Sequence, residues 1–186
     1  MARRHLTMEE RRRNALPKLE FFVSLDNFRW KDTTNYKRCL GKARSEKDLQ
    51  EFLEAHPYLL VMHLDGHHGQ WVIPHQRLGS EYVPDFLIGS NDSMGFRWIA
   101  VELESPTAPI FIKSGDPSKA LNHAIRQILD WRVWLKRNQN YAERSWAKGG
   151  LGLVDIDGSI PGLILIGRRS MVDPTTNERR RQFVQD

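Results

Sequence analysis

The sequence predicts an α/β domain with a central mixed β-sheet flanked by helices. Three observations point there: three successive strand-like runs parted by turn residues, two helical patterns with clear start signals, and one continuous apolar run near the end. At 186 residues, with 40% apolar and 27% charged residues, the chain has the size and composition of one folded domain.

Residues 1–17 are polar and Arg-rich; a short helix over 7–15 closing at Pro17 is expected, and the segment reads as an arm. The stretch 21–30 mixes aromatic and polar residues without a period. Residues 1–43 are therefore expected as an arm and irregular lead-in, with the folded domain over 44–186. Ser45-Glu46-Lys47-Asp48 has the form of a capping box. Leu49, Phe52, Leu53, Leu59 and Leu60 follow at helical spacing, with Pro57 ending or kinking the helix.

Next come apolar runs at 71–78, 82–88 and 96–103, parted by Gly79-Ser80 and Gly89-Ser90-Asn91-Asp92, which predict a β-meander. Asp116-Pro117 then opens a long helix over 117–136, with Asp116 as N-cap. Ala120, Leu121, Ala124, Ile125, Ile128, Trp131 and Leu135 line one side. After a Gly-rich loop near Gly149-Gly150, the run Gly162-Leu-Ile-Leu-Ile-Gly167 predicts a strand buried on both faces and central to the sheet.

Composition narrows the function classes. No apolar run approaches the roughly 20 residues of a membrane helix, and the charged N-terminus is unlike a signal peptide, so a cytoplasmic protein without a membrane partner is expected. Cys39 is the only cysteine, which excludes an intramolecular disulfide and predicts a buried, inert thiol. Without a phosphate-binding Gly-rich loop carrying Lys-Ser/Thr, no nucleotide cofactor is expected. The net charge of +5 divides into +3 over residues 1–13 and +2 over 168–186, leaving a neutral middle. Basic ends suit phosphate contacts and equally suit solubility or subunit contacts.

Chemistry concentrates in two segments. Val83-Pro84-Asp85-Phe86 is followed, seventeen residues after Asp85, by Glu102-Leu103-Glu104 at the end of an apolar strand. Because side chains alternate along a strand, Glu102 and Glu104 share one face. If Asp85 pairs beside them, three carboxylates converge, an arrangement that a divalent cation neutralises, and hard oxygen donors favour Mg²⁺ or Mn²⁺. The plainer alternative is that the two glutamates form the wet side of an amphipathic strand. His63, His67 and His68 surround a Gly turn and fit an exposed loop better than a zinc site.

These residues resemble the Pro-Asp and Glu-x-Lys pattern of PD-(D/E)xK nucleases, which share a restriction-endonuclease-like core. Four stretches in order resemble the nuclease domain of Shedu antiphage proteins: SEKDLQEFLEAHPYLL (45–60), VPDFLIG (83–89), VELESP with FIKSGDPSKALNHAIRQILDW (101–131), and GLILIGRR (162–169). The resemblance implies a Mg²⁺-dependent deoxyribonuclease that cuts phosphodiester bonds in DNA in a bacterial or phage-related setting, working as a homo-oligomer. Asp85 and Glu102 would bind the metal, aided by the carbonyl of Leu103.

Glu104 stands where many such enzymes place lysine, and would act as metal ligand or water-orienting base; Lys113, nine residues on, is a candidate replacement cation. Relatives often add an acid from the first helix, and helical projection selects Glu46, on the side of Leu49 and Leu53, over Glu51. Glu46 equally fits a first-turn acid favoured by the helix dipole. Gln127, one turn before Trp131, resembles a glutamine that braces the metal site, with Trp131 itself in the core. Such relatives often continue past the last strand, so a minimal or shortened version is expected. A silent nucleic-acid-binding or oligomerisation module on the same scaffold is the alternative function.

Overall fold

The computed structural model describes residues 17–62, 64 and 68–185, without the side chains of 183–185. The expected helix at 7–15, and His63 and His67, lie outside the described residues. The architecture is α/β: a four-stranded mixed sheet flanked by helices, consistent with a restriction-endonuclease-like core. Its elements are α1 (Trp30–Lys42), α2 (Glu46–Ala55), α3 (Tyr58–Val61), β1 (Gly69–Pro74), β2 (Phe86–Asp92), β3 (Gly95–Leu103), α4 (Lys119–Glu143), β4 (Gly162–Leu165) and α5 (Pro174–Gln185). No helix of the described residues is long and apolar enough to cross a membrane.

Strands β1, β2 and β3 form the expected antiparallel meander, but β1 ends at Pro74 and β2 begins at Phe86, so Asp85, expected within a strand, lies just before one; β4 joins β3 in parallel after the α4 crossover, giving the order β1-β2-β3-β4. Strand alternation divides the core in two. Leu87, Trp98 and Ala100 face Ile128, Trp131 and Leu135 of α4. On the opposite face Phe86, Ile88, Val101 and Leu103 pack with Leu49 and Leu53 of α2 and Leu60 and Val61 of α3. The capping box forms as expected, with the Ser45 amide donating to Asp48 at 3.0 Å.

Four expectations are corrected. First, β4 is an edge strand, half-exposed along most of its length, where a central strand was expected. Its apolar run reports cover on both faces, Ile164 toward one cluster and Leu163 and Leu165 toward the other, but not a neighbour on both sides. β4 pairs with the edge of β3 that β2 leaves free. Second, Gly89–Asp92 is strand, not turn: Gly89 pairs with Trp98, whose ring lies over the space a side chain would need, within 2.8 Å of an added Cβ. The reversal falls at Ser93 and Met94, with Gly95 at φ +106°.

Third, α4 is capped by Ser118, whose Oγ accepts from Leu121 at 3.1 Å. Asp116 instead accepts from Ser114 at 2.6 Å, and Pro117 bridges Phe111. The helix runs on to Glu143 through a kink at Asn138 (φ −121°, ψ 21°), with Ala142 buried beyond it. Fourth, Cys39 is half-buried, not buried. Its Sγ contacts the Asp48 carbonyl at 3.6 Å, and burial together with Asp48 pushes the thiol pKa up.

The lead-in is irregular over 17–29, with short 3-10 turns at Leu19–Phe21 and Leu25–Asn27. Helix α1, Trp30–Lys42, corrects the expectation of an irregular stretch up to residue 43: it packs Tyr36 and Leu40 against the core, without a clear signal in the sequence. Its start is fixed by Asp32, which accepts from the Arg29 amide and from the Tyr58 hydroxyl, each at 2.9 Å.

Candidate metal centre

The site lies where β3 runs out of the core. In the β2–β3 register Phe86 faces Val101, so continuing the ladder one residue sets Asp85 beside Glu102. Asp85 Oδ2 accepts the Leu103 amide at 2.7 Å, which ties Asp85 to the middle of the Glu-Leu-Glu segment. Glu102 is buried, 6% exposed, and takes a hydrogen bond from Gln127 Nε2. Two residues on, Glu104 Oε1 meets His123 Nδ1 at 3.1 Å.

This pairing has a simple geometric basis. Residues two apart on one face of a strand are separated by about 6.6–6.8 Å, and residues four apart on a helix by about 6 Å. Antiparallel packing of α4 against the end of β3 therefore matches Glu102 with Gln127 and Glu104 with His123. Ligand atoms of Glu102, Glu104 and His123 all lie within 4.8 Å of one another, a span that a single ion with bonds of about 2.0–2.6 Å can bridge.

Electrostatics shows how crowded the carboxylates are. Burial pushes Glu102 up to about 9, reinforced by the charges of Asp85, Glu46 and Glu104. Asp85 is also raised, first by burial, against the lowering effect of the Leu103 amide and His75. Glu46, at the first turn of α2, is raised by burial and by Asp85 and Glu104, with His123 opposing. Four acids thus feel one another at a single spot. The arrangement fits a divalent cation: its donors are carboxylate oxygens and one imidazole, and the alternative is to hold a buried carboxyl protonated.

Of the residues singled out in the sequence, Glu102 and Glu104 fall in the group that could hold an ion, with His123 as its third member; Asp85, expected as a ligand, is tied to Leu103 beside Glu102 but lies outside that group, Gln127 bonds Glu102, and exposed Glu46 acts on the site through its charge. Trp131 is core, 1% exposed, as expected. Lys113 is exposed on the loop between β3 and α4, and His68 is exposed just before β1. His123 was missed; its signal was present, one turn before Gln127 on the same helix face. Lys119 was missed as well. It shares with Glu104, His123 and Ser118 the wall of a cleft of about 550 Å³ at the N-terminus of α4.

His75 was the third omission. It follows β1 with φ +48°, its amide donates to the Asp85 carbonyl at 3.0 Å, and its Nε2 lies 2.8 Å from Glu54 and 3.3 Å from Gln50 Nε2. A non-glycine residue held at positive φ costs of order 1–3 kcal/mol and is typical of functional sites.

A family model described as Shedu protein SduA, C-terminal, matches residues 43–186. A search of curated proteins found no match.

Proposed function

The chain belongs to the Shedu SduA C-terminal family, and from that premise we propose that it is a metal-dependent DNA endonuclease of the PD-(D/E)xK type acting in antiphage defence. The observation that supports this is the convergence of Asp85, Glu102, Glu104 and His123 at one end of the sheet. Two carboxylates suit Mg²⁺ or Mn²⁺, and the imidazole weights the choice toward Mn²⁺.

Glu102, Glu104 and His123 would hold the ion, with Asp85, expected as a ligand, beside Glu102 but outside that group. A bound ion supplies a lowered pKa for its water and charge stabilisation at the phosphate. The protein's own part is positional. Gln127 fixes the Glu102 carboxyl by its amide hydrogen bond, and Asp85 locks the segment through Leu103. Glu102 would hold the ion as a carboxylate, since a bound cation offsets the burial and the neighbouring negative charge that raise its pKa.

Glu104, with one oxygen turned to His123, accepts the proton of the attacking water in place of the usual lysine. Lys119 and the first amides of α4 face the same cleft and meet the phosphate oxygens. Glu46 adds negative charge that steadies the cation.

Plasmid nicking with Mg²⁺ or Mn²⁺, with EDTA as control, tests the proposal. Asp85→Ala abolishes nicking; Asp85→Asn, which keeps an acceptor for the Leu103 amide, does so without loss of fold. Undiminished cutting by both rejects the assignment. One observation favours a second reading, a silent DNA-binding or oligomerisation module: Glu104 occupies the lysine position. Binding without cutting under every metal would establish it. The partners proposed are DNA and further copies of the same chain, checked by salt-dependent DNA affinity and by light scattering.

A further inference from the structure

His75 also lines a second cavity, of about 340 Å³, with Lys18, Phe21, Arg77, Trp146 and Gly150 among its walls. Two aromatic rings stand in this wall with an ammonium shared between them: Lys18 Nζ lies 6.0 Å from the Phe21 centroid and 5.7 Å from that of Trp146. Arg77, His75 and Gln76 complete the polar side-chain lining, and no acidic residue lines it among the described residues. Lys18 also pairs with exposed Glu20 at 3.3 Å.

The Trp146 platform is held firmly. The Ser145 carbonyl accepts the amides of Lys148 at 2.8 Å and Gly150 at 3.0 Å, so the loop closes on itself around the ring. A side chain at Gly150 would run into the Arg144 backbone. The Trp146 indole N–H is shut from solvent and has no acceptor among the described residues.

A flat, π-faced group carrying acceptors and joined to a negative chain is the complement of this cavity. A nucleotide is such a group, and the volume falls within the small-ligand range of about 300–1,000 Å³. A base inside a duplex offers no free face, so the occupant must be unpaired. One residue links the cavity to the neighbourhood of the carboxylates: His75 lines it, and the His75 amide donates to the Asp85 main-chain carbonyl at 3.0 Å.

We propose that this cavity seats one unpaired nucleotide of the DNA strand engaged at the carboxylate site, its base against Trp146 and Phe21 and its phosphate met by Lys18 and Arg77. The inference rests on the DNA-cutting reading and narrows its substrate class to duplexes that carry, or can yield, an extrahelical nucleotide.

Fluorescence anisotropy in EDTA, where nothing is cut, compares a labelled duplex that is fully paired with the same duplex carrying a single bulged nucleotide. The wild-type protein binds the bulged duplex roughly tenfold more tightly, the size of one base–aromatic stack. Trp146→Leu removes most of that preference and Trp146→Phe, which keeps a π-face, retains most of it. Lys18→Gln and Arg77→Gln, both surface changes with little bearing on folding, weaken binding of the bulged duplex. Equal wild-type affinity for the two duplexes, or an undiminished preference in Trp146→Leu, overturns the proposal. Plasmid nicking in Mn²⁺, run in parallel, separates the two readings: nicking without preference overturns the pocket alone, and preference without nicking overturns the nuclease alone.

Discussion

Replacing Glu102 with glutamine should make the metal-free protein more stable at alkaline pH while abolishing metal binding. Glu102 has a folded-state pKa of about 9, raised by burial and by three neighbouring acids. Above the ordinary carboxyl range the folded chain therefore holds a proton that the unfolded chain has lost. Stability from this group is fully present below the unfolded pKa and is lost as pH rises toward the folded one, at about 1.4 kcal/mol per pH unit.

From about pH 5 to about pH 8 that slope amounts to roughly 4 kcal/mol. Water reaching exposed Glu46 and half-buried Glu104 screens part of the repulsion, so about half, roughly 2 kcal/mol, is the expected effect. The Glu102→Gln substitution keeps the shape of the protonated acid and its bond to Gln127, since the new amide oxygen still accepts there. Urea unfolding in EDTA at several pH values measures the difference between the two proteins. It should grow by about 2 kcal/mol over that range in favour of Glu102→Gln. Added Mn²⁺ should stabilise the wild type and not the variant. A difference that stays constant with pH would refute the argument that Glu102 is kept protonated.

Three further outcomes follow from particular contacts. His123→Ala removes the imidazole beside Glu104 and should weaken Mn²⁺ binding by about 10- to 100-fold, read by calorimetry, with little change in unfolding free energy. Ser118→Ala removes the N-cap acceptor of α4 and should destabilise the fold by about 1 kcal/mol in urea titration. Gly89→Val drives a side chain into the Trp98 ring and should destabilise by about 1–3 kcal/mol, visible as a lower Tm, while Gly41→Ala, in open space, should not.

Local signals carried much of the fold and most of the site. The capping box at Ser45 marks the start of α2 because its hydrogen bonds close within four residues. The common face of Glu102 and Glu104 follows from strand alternation alone. Helix α1 was illegible: Trp30–Lys42 is polar, carries two threonines and a glycine, and is anchored by a distant Tyr58. The Gly89 segment reads as a turn until Trp98 is known to fill the space that glycine leaves.

What the residues determined by themselves was which side chains could act: an aspartate in one apolar run, two glutamates in step on the next, and a glutamine on the long helix. Tertiary structure decided which of these meet and what joins them. His123 reaches Glu104 only through the axial register of α4 against β3, and His75 reaches Asp85 only through the pairing of β1 with β2. The same holds for β4, whose apolar run is identical for a central strand and an edge strand with both faces covered. Periodicity along a chain records which faces are buried, whereas the neighbour across a face depends on contacts between segments far apart in sequence, which no local pattern encodes.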